Sequence, residues 1–487
     1  MGSRVGYNIK MRLFNSLSRE IEEVVPIETG KIGMYTCGPT VYSTATIGNF
    51  RTYTLSDVLS RSLRYVGYDV THVMNLTDVG HLTGDNEGDA DTGEDRLEKA
   101  SKKEGRTAWD IAKGYGDEFM DHLKLMNILI PNEVCKATEH IPEQIEMVKK
   151  LEEKGFAYKI TDGIYFDTVK FESMGFRYGE LSTLDQIQAG ARVEMNPEKR
   201  DIRDFALWKF SPNDGTRRQM EWQSPWGVGF PGWHIECSAM ATKYLGDQFD
   251  IHAGGEDLRS THHPNEIAQA EGATGKHPFV TTWVHGAFLL VDGGRMGKSL
   301  GNAYTVADIV AKGFDPLALR YFYMTGHYRR QINFTWESLK AASTALIKLK
   351  EIYQGAKKDQ GERTNLSQEK LAKIEEYQND FRGTLENDLN MPEALAIVWE
   401  VAKSNIPNYD KVDLLSQFDR VLGFNLDKEI DMQNDEQIPE QVEKLIEQRE
   451  IVRKMRNYGE ADKIRLDIEK LGYRLEDKGG RTRAIKI

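Results

Sequence analysis

The chain of 487 residues exceeds the ~250–300 residues at which one hydrophobic core divides, so two to four domains with ample burial are expected. With 39% hydrophobic and 29% charged residues, no apolar run near the ~18 residues of a membrane span and no signal-like segment, a soluble cytoplasmic protein without membrane partners is expected. A net charge of −12 argues against a nonspecific nucleic-acid coat. Three scattered cysteines with no Cys-x-x-Cys pair exclude a disulfide scaffold, leaving each as a core residue or a single ligand.

Lys31-Ile-Gly-Met-Tyr-Thr36 reads as a buried strand. Apolar positions then recur at helical spacing through Leu55, Val58, Leu59, Leu63 and Val66, and Gly67 is a helix stop. Asp69 to Met74 reads as a second strand. Strand, turn, helix and strand form a βαβ unit that opens a doubly wound parallel α/β sheet, and the turn at Ser43–Thr52 is the first crossing, where such sheets bind ligands. The run Asp85–Asp95 carries six acids in eleven residues; its Gly is misplaced for a calcium loop, so a solvated loop is expected.

Residues 108–155 read as mostly helical and 156–225 as mixed and loop-rich. Strand signals return at Phe249–His252 and Trp283–Val291, which makes 111–225 an insertion in one sheet domain. After residue 333 helical periodicity runs to Gly423. From Asn425 to Glu447 eight acids face two lysines, whereas from Arg449 onward twelve basic residues face seven acids, so the last segment suits a polyanion although the whole chain is acidic. The expected partition is 11–110 and 226–332 as the two halves of the sheet domain, 111–225 inserted between them, 333–424 a helical bundle, 425–440 an acidic linker and 441–487 a small C-terminal module.

Gly293-Gly-Arg-Met-Gly-Lys-Ser-Leu-Gly-Asn302 misses the P-loop pattern by one residue, since the first required Gly falls on Asp292. A glycine-rich loop with Lys298 and Ser299 still suits transient polyphosphate contact, and a surface hairpin is the alternative. His262 and Glu266, at i and i+4, share a helix face. With Cys37 and Cys237 they would make a thiolate-rich set suited to Zn²⁺. From spacing alone, buried structural cysteines and a capping His remain the commoner reading.

Ile47-Gly-Asn49 after the first strand and Arg295-Met-Gly-Lys-Ser299 far downstream resemble the paired signatures of class I aminoacyl-tRNA synthetases, usually His-Ile-Gly-His and Lys-Met-Ser-Lys-Ser. Met34-Tyr-Thr-Cys-Gly-Pro-Thr-Val-Tyr42, Asn75-Leu-Thr-Asp78, Pro231-Gly-Trp-His-Ile-Glu-Cys-Ser-Ala-Met240, Asp250–Leu258 and His262-His-Pro-Asn-Glu-Ile-Ala-Gln269 narrow the resemblance to the cysteinyl-tRNA synthetase family. It runs from about Arg12 to Asp477. Thr46 stands where that family usually has its first signature His, Asn49 replaces the second, and Arg295 and Gly297 replace Lys and Ser.

The resemblance implies a Rossmann-type catalytic domain, ATP-dependent activation of L-cysteine, and transfer to the 3′-terminal adenosine of tRNA(Cys). It carries Cys37, Cys237, His262 and Glu266 over as ligands of one Zn²⁺ per chain. Thr77, Trp233, His252 and Asp257 would line the cysteine pocket, and Gly48, Asn49, Lys298 and Ser299 would meet ATP with Mg²⁺. Lys298, Thr46 and Asn49 would carry catalysis, and Arg453, Tyr458 and Asp462 would read the anticodon. Cys135 matches no ligand position and is expected in a core. A monomer is expected because no self-association segment is evident. Two other readings share these motifs: a ligase passing activated cysteine to a small amine, as mycothiol ligase does, and a silent zinc- and tRNA-binding paralogue. The basic C-terminal module favours tRNA over the small amine, and Lys298 with four retained ligands favours activity over silence.

Overall fold

In the computed structural model the described residues are 10–80, 82–83, 94–182, 196–212, 217–297, 300–361, 366–428, 439–455, 457–478 and 481–486. Five strands build a parallel sheet: β1 (Lys31–Thr36), β2 (Asp69–Leu76), β3 (Glu133–Lys136), β4 (Phe249–Gly255) and β5 (Val280–Gly286), in the order β5-β4-β1-β2-β3. Every neighbouring pair runs parallel, with Ile251 opposite Met34 across β4 and β1. The winding reverses between β1 and β4, so the crevice beyond their carboxyl ends is where an open α/β sheet receives ligands.

The segment from β1 to β2 folds as its periodicity predicts. Helix α1 (Ile47–Val66) starts on Thr46 and stops at Gly67, whose φ of 119° is left-handed, a conformation that costs a Cβ-free residue little. Strand β3 lies inside the 111–225 stretch expected as an insertion, yet it pairs with β2. Its Glu-Val-Cys-Lys sequence is too short and polar to announce a sheet strand. The loop-rich stretch that follows contains a five-stranded antiparallel sheet, with Ala157–Ile160, Gly163–Phe166, Phe205–Phe210, Gly227–Pro231 and Trp222–Ser224 in spatial order. Its aromatic core includes Phe166 stacked on Phe205 at 5.0 Å. Asp95, read as part of a solvated acidic loop, is instead buried, capping the helix at Arg96–Glu104 and pairing with Arg218. The other acids of that run, from Asp85 to Glu94, have no described side chain.

Helices α2 (Ala108–Leu125), α3 (Trp233–Leu245) and α4 (His262–Thr274) accompany the sheet. Beyond the short helix Val306–Ala311, α5 (Pro316–Met324), α6 (Trp336–Lys358), α7 (Gln368–Glu386), α8 (Met391–Lys403) and α9 (Asn408–Leu422) pack as a bundle around residues such as Phe381 and Phe418, stacked at 3.9 Å. A buried ion cluster ties this bundle to the sheet domain. Asp57 of α1 accepts from Arg61 Nε at 2.7 Å, from Arg320 Nη2 of α5 at 2.5 Å and from the Leu129 N–H at 2.9 Å. No described helix is long and apolar enough to cross a membrane.

Residues 429–487 form a separate unit. In it α10 (Glu440–Lys454) and α11 (Tyr458–Lys470) precede a hairpin of Tyr473–Lys478 with Arg481–Lys486. Val442, Ile464, Ile468, Tyr473 and Leu475 close its small core.

Candidate metal centre and ligand pocket

Cys37 follows the last residue of β1, and its turn is set by the close approach of Gly38 to β2. A Cβ on Gly38 would lie 1.7 Å from the Asn75 carbonyl oxygen, so no side chain fits there. The Gly38 N–H donates to Asn75 Oδ1 at 2.9 Å, and the Asn75 amide donates to Thr77 Oγ1 at 3.0 Å, which holds the expected pocket residue Thr77 at the carboxyl end of β2. Cys237 lies one turn into α3. Helix α4 is buried at twelve of its thirteen positions, with Pro264 in the first turn, where its missing N–H costs nothing.

These elements bring Cys37, Cys237, His262 and Glu266 together, with one donor atom from each inside a 4.8 Å cluster. The Cys37 and Cys237 sulfurs are 3.7 Å apart, and Cys37 Sγ is 3.5 Å from Glu266 Oε1. His262 Nε2 is 3.4 Å from Cys237 Sγ and 3.1 Å from Glu266 Oε1. Zinc–ligand bonds of about 2.0–2.3 Å in a tetrahedron give edges of about 3.8 Å between sulfurs, about 3.5 Å for mixed pairs and about 3.3 Å between nitrogen and oxygen. The donor chemistry therefore suits Zn²⁺, and these four separations lie near tetrahedral edges. A second grouping, Cys37, His252, His263 and Glu266, shares two donors with the first, so one ion excludes the other. It is less regular, with Glu266 Oε1 4.0 Å from His263 Nε2 and Glu266 Oε2 3.0 Å from His252 Nε2.

The charge pattern fits this chemistry. Burial works to raise the Glu266 carboxyl, but the imidazoles of His252 and His262 outweigh it and hold its pKa down at about 2. Burial opposes charge on His262 as well, yet Cys237 and Glu266 raise it to about 10. A fully buried carboxylate persists here because positive charge stands beside it.

Of the other expected pocket residues, His252 is fully buried and stacks on Trp283 at 4.5 Å, while its Nδ1 has no hydrogen-bond partner among the described residues. Trp233 is half-buried, with its ring 4.4 Å from that of His262. Asp257 lies exposed after β4. Sequence reading missed a second layer of histidines. His234 Nδ1 meets His262 Nδ1 at 2.9 Å, His263 Nδ1 meets His285 Nε2 at 2.8 Å, and His285 Nδ1 meets Ser16 Oγ at 2.8 Å. The adjacent pair His262-His263 was the available signal, since on a helix buried all round both rings face partners.

The paired signatures also meet. Thr46 caps α1 in a reciprocal box: its N–H and hydroxyl donate to Asn49 Oδ1 at 2.9 and 2.8 Å, and its oxygen accepts the Asn49 N–H at 3.4 Å. The neutral donors expected to reach ATP are thus engaged with each other. A Cβ on Gly48 would lie 3.2 Å from Met296 Cε, so the glycine-rich loop rests against the turn. That loop is fixed at its base by Asn302, which accepts from the Gly297 N–H at 2.9 Å and donates to the Arg295 carbonyl at 3.1 Å. Lys298 and Ser299 lie outside the described residues. In the C-terminal unit Arg453, Tyr458 and Asp462 are all exposed, Tyr458 at 61%.

Residues 23–344 match the family model described as tRNA synthetases class I (C) catalytic domain, and residues 435–483 match the cysteinyl-tRNA ligase anticodon binding domain. A cysteine–tRNA ligase 1 of Burkholderia lata is 45% identical across 96% of this chain and 95% of its own length. The cysteine–tRNA ligase of Treponema denticola is 41% identical across 98% and 100%. Among solved structures, Mycobacterium tuberculosis methionyl-tRNA synthetase in complex with methionyl-adenylate shares the fold, with a TM-score of 0.55, 15% identity and coverage of 81% of this chain and 90% of that one. The chain belongs to the cysteinyl-tRNA synthetase family, within class I.

Proposed function

We propose that this chain activates L-cysteine with ATP and transfers it to the 3′-terminal adenosine of tRNA(Cys). The observation that carries this reading is the clustering of Cys37, Cys237, His262 and Glu266 at the switch point of a class I sheet. Cysteine differs from serine by sulfur against oxygen, a contrast that an apolar pocket discriminates poorly. Zinc on these four residues would supply a soft Lewis acid for the substrate thiolate, which an alcohol matches poorly.

The rest is positioning. Thr77 and Trp233 would bound the amino acid beside the metal ligands, with His252 presenting its unpartnered Nδ1 and Asp257 orienting the amino group. The cysteine carboxylate attacks the ATP α-phosphorus in line and pyrophosphate departs. The tRNA ribose hydroxyl then attacks the mixed anhydride and AMP departs. Mg²⁺ and Lys298 would offset the phosphate charge, with Gly48 permitting close approach at the start of α1, where the helix dipole favours an anion. Ser299 would accompany Lys298, and the cap pair Thr46 and Asn49 would hold the turn in place. Arg453, Tyr458 and Asp462 would read the anticodon by hydrogen bonding and stacking. The functional partition follows: residues 11–110 and 226–332 perform activation, 111–225 is inserted between them apart from the sheet strand β3, 333–424 supports tRNA, 425–440 links, and 441–487 reads the anticodon. The working form is a cytoplasmic monomer with one Zn²⁺.

Transfer to a small amine is the rival reading, and the match of residues 435–483 to an anticodon binding domain speaks for tRNA instead. Cysteine-dependent pyrophosphate exchange followed by charging of tRNA(Cys) tests the proposal. Exchange without charging would leave the small-amine ligase, and bound tRNA without exchange would leave a silent paralogue.

A further inference from the structure

A cleft of about 640 Å³ opens between the C-terminal half of α1 and the helical bundle, with walls from α1, α7 and α9. Its volume is in the range of small-molecule sites. Four arginines line it, Arg61, Arg64, Arg382 and Arg420, and no Asp or Glu is among the lining residues. The nearby acids are already engaged: Asp57 sits buried on Arg61 and Arg320, and Glu386 binds Arg382 Nε at 2.7 Å. Arg64 has no acid. Its Nη2 donates to the Val70 carbonyl at 2.7 Å and to Asn132 Oδ1 at 3.2 Å. The Arg420 guanidinium has no hydrogen-bond or ion-pair partner among the described residues.

Basic residues often sit in last helical turns because they complement the dipole, and Arg64 and Arg420 do occupy last turns. That account leaves unexplained why arginines from three helices line one concave volume. The arrangement is also preorganised. Arg61 is fixed by donating to the Arg420 carbonyl at 3.0 Å and to the Asn127 carbonyl at 2.7 Å, so α1 and α9 are tied directly beneath the cleft. Gln378 bridges α7 to α9 by donating to Gln417 Oε1 at 3.2 Å. The half-buried Tyr65, whose ring packs at 76° to that of Phe381 at 5.7 Å, belongs to the same wall.

We propose that this cleft binds a nucleotide, with Arg64, Arg382 and Arg420 taking its phosphates and Tyr65 with the glutamine amides taking its base. Planar guanidinium groups suit phosphate oxygens bidentately, and amides with a ring suit a heterocycle. The cleft is distinct from the catalytic turn. Arg64 lies fifteen residues beyond Asn49 on one unbroken helix, about 22 Å away at 1.5 Å per residue. The test rests on the proposed cysteine activation only for blocking the catalytic turn; the comparison with Arg420→Gln assigns the cleft without it.

Equilibrium dialysis of GTP tests it, using full-length protein whose catalytic site is saturated with a cysteinyl-adenylate analogue carrying a sulfamate in place of the anhydride. One equivalent of GTP should still bind, and added salt should weaken it. Arg420→Gln and, separately, Arg64→Gln should each weaken binding at least tenfold with an unchanged melting temperature. The Arg420 side chain has no polar partner among the described residues, so its variant stays informative if Arg64→Gln unfolds. No GTP binding to the blocked protein, or equal binding by Arg420→Gln, overturns the proposal. Inorganic pyrophosphate binding as tightly as GTP overturns the role given to Tyr65 and the nucleotide assignment. If GTP fails to bind while Arg420→Gln weakens tRNA affinity, the cleft belongs to a tRNA surface and the proposal falls.

Discussion

Thr46→Ala separates a capping role from direct contact with ATP. Among the described residues every hydrogen bond of the Thr46 side chain stays within the turn, to Asn49 Oδ1 at 2.8 Å and from the Asn49 N–H at 3.4 Å. Removing an N-cap hydroxyl costs about 0.5–2 kcal/mol. If the whole of that cost reappears as misplacement of the turn in the transition state, cysteine activation slows by about 2- to 30-fold at 1.36 kcal/mol per tenfold. In a unit this large the melting temperature should fall by about 2 °C or less. Thr46→Ser retains the hydroxyl and should recover most of the rate. The assay is cysteine-dependent pyrophosphate exchange at varied ATP, alongside a thermal melt and a metal determination, which should be unchanged. A loss beyond about 100-fold with an intact melt exceeds any cap energy. That result would refute the capping argument and place Thr46 on the nucleotide.

Cys237→Ser should lose stoichiometric metal and cysteine activation together, and activation that survives metal loss would remove the metal from substrate recognition. A strong chelator should abolish exchange, Zn²⁺ should restore it and Mg²⁺ alone should not; recovery with Mg²⁺ alone would sink the zinc assignment. Asp57→Ala leaves two buried guanidinium groups without their carboxylate, so a loss of about 3–5 kcal/mol is expected, and an unchanged denaturant midpoint would show that the cluster is not structural. His72 is buried against Thr36 Oγ1 at 2.9 Å, and burial lowers its pKa to about 4. The unfolded chain therefore binds the extra proton between about pH 6.5 and 4, and stability present above that window is lost as pH falls through it, by about 3 kcal/mol. His72→Gln should flatten this part of the stability profile, and a profile identical to that of the parent would assign the acid sensitivity elsewhere.

The first βαβ unit was legible because its signals are local: a strand at Lys31, a helix stop at Gly67 and a strand from Asp69 all stand where periodicity and turn chemistry put them. The sheet within 157–231 was not, because its strands are three to six residues long and gain their order from pairing across distant sequence. Strand β3 escaped for a similar reason, since an edge strand of four residues needs no alternating pattern. The metal ligands show the same division. His262 and Glu266 announce themselves by helical spacing, whereas Cys37 and Cys237 are 200 residues apart and only the fold, or a family resemblance, joins them. The buried Asp95 was misread because composition reports charge density but not the arrival of Arg218 from a remote segment.

The contact between Gly48 and Met296 makes two distant stretches of the gene answerable to each other. A methyl group at position 48 would meet Met296 Cε at 3.2 Å and Sδ at 3.4 Å, so substitutions at either position are filtered by what occupies the other. Relatives that enlarge residue 48 should carry a shorter or reoriented side chain at 296. The two signatures would then drift as one covarying pair, and a library randomising both positions together should recover active combinations that neither single-site library contains.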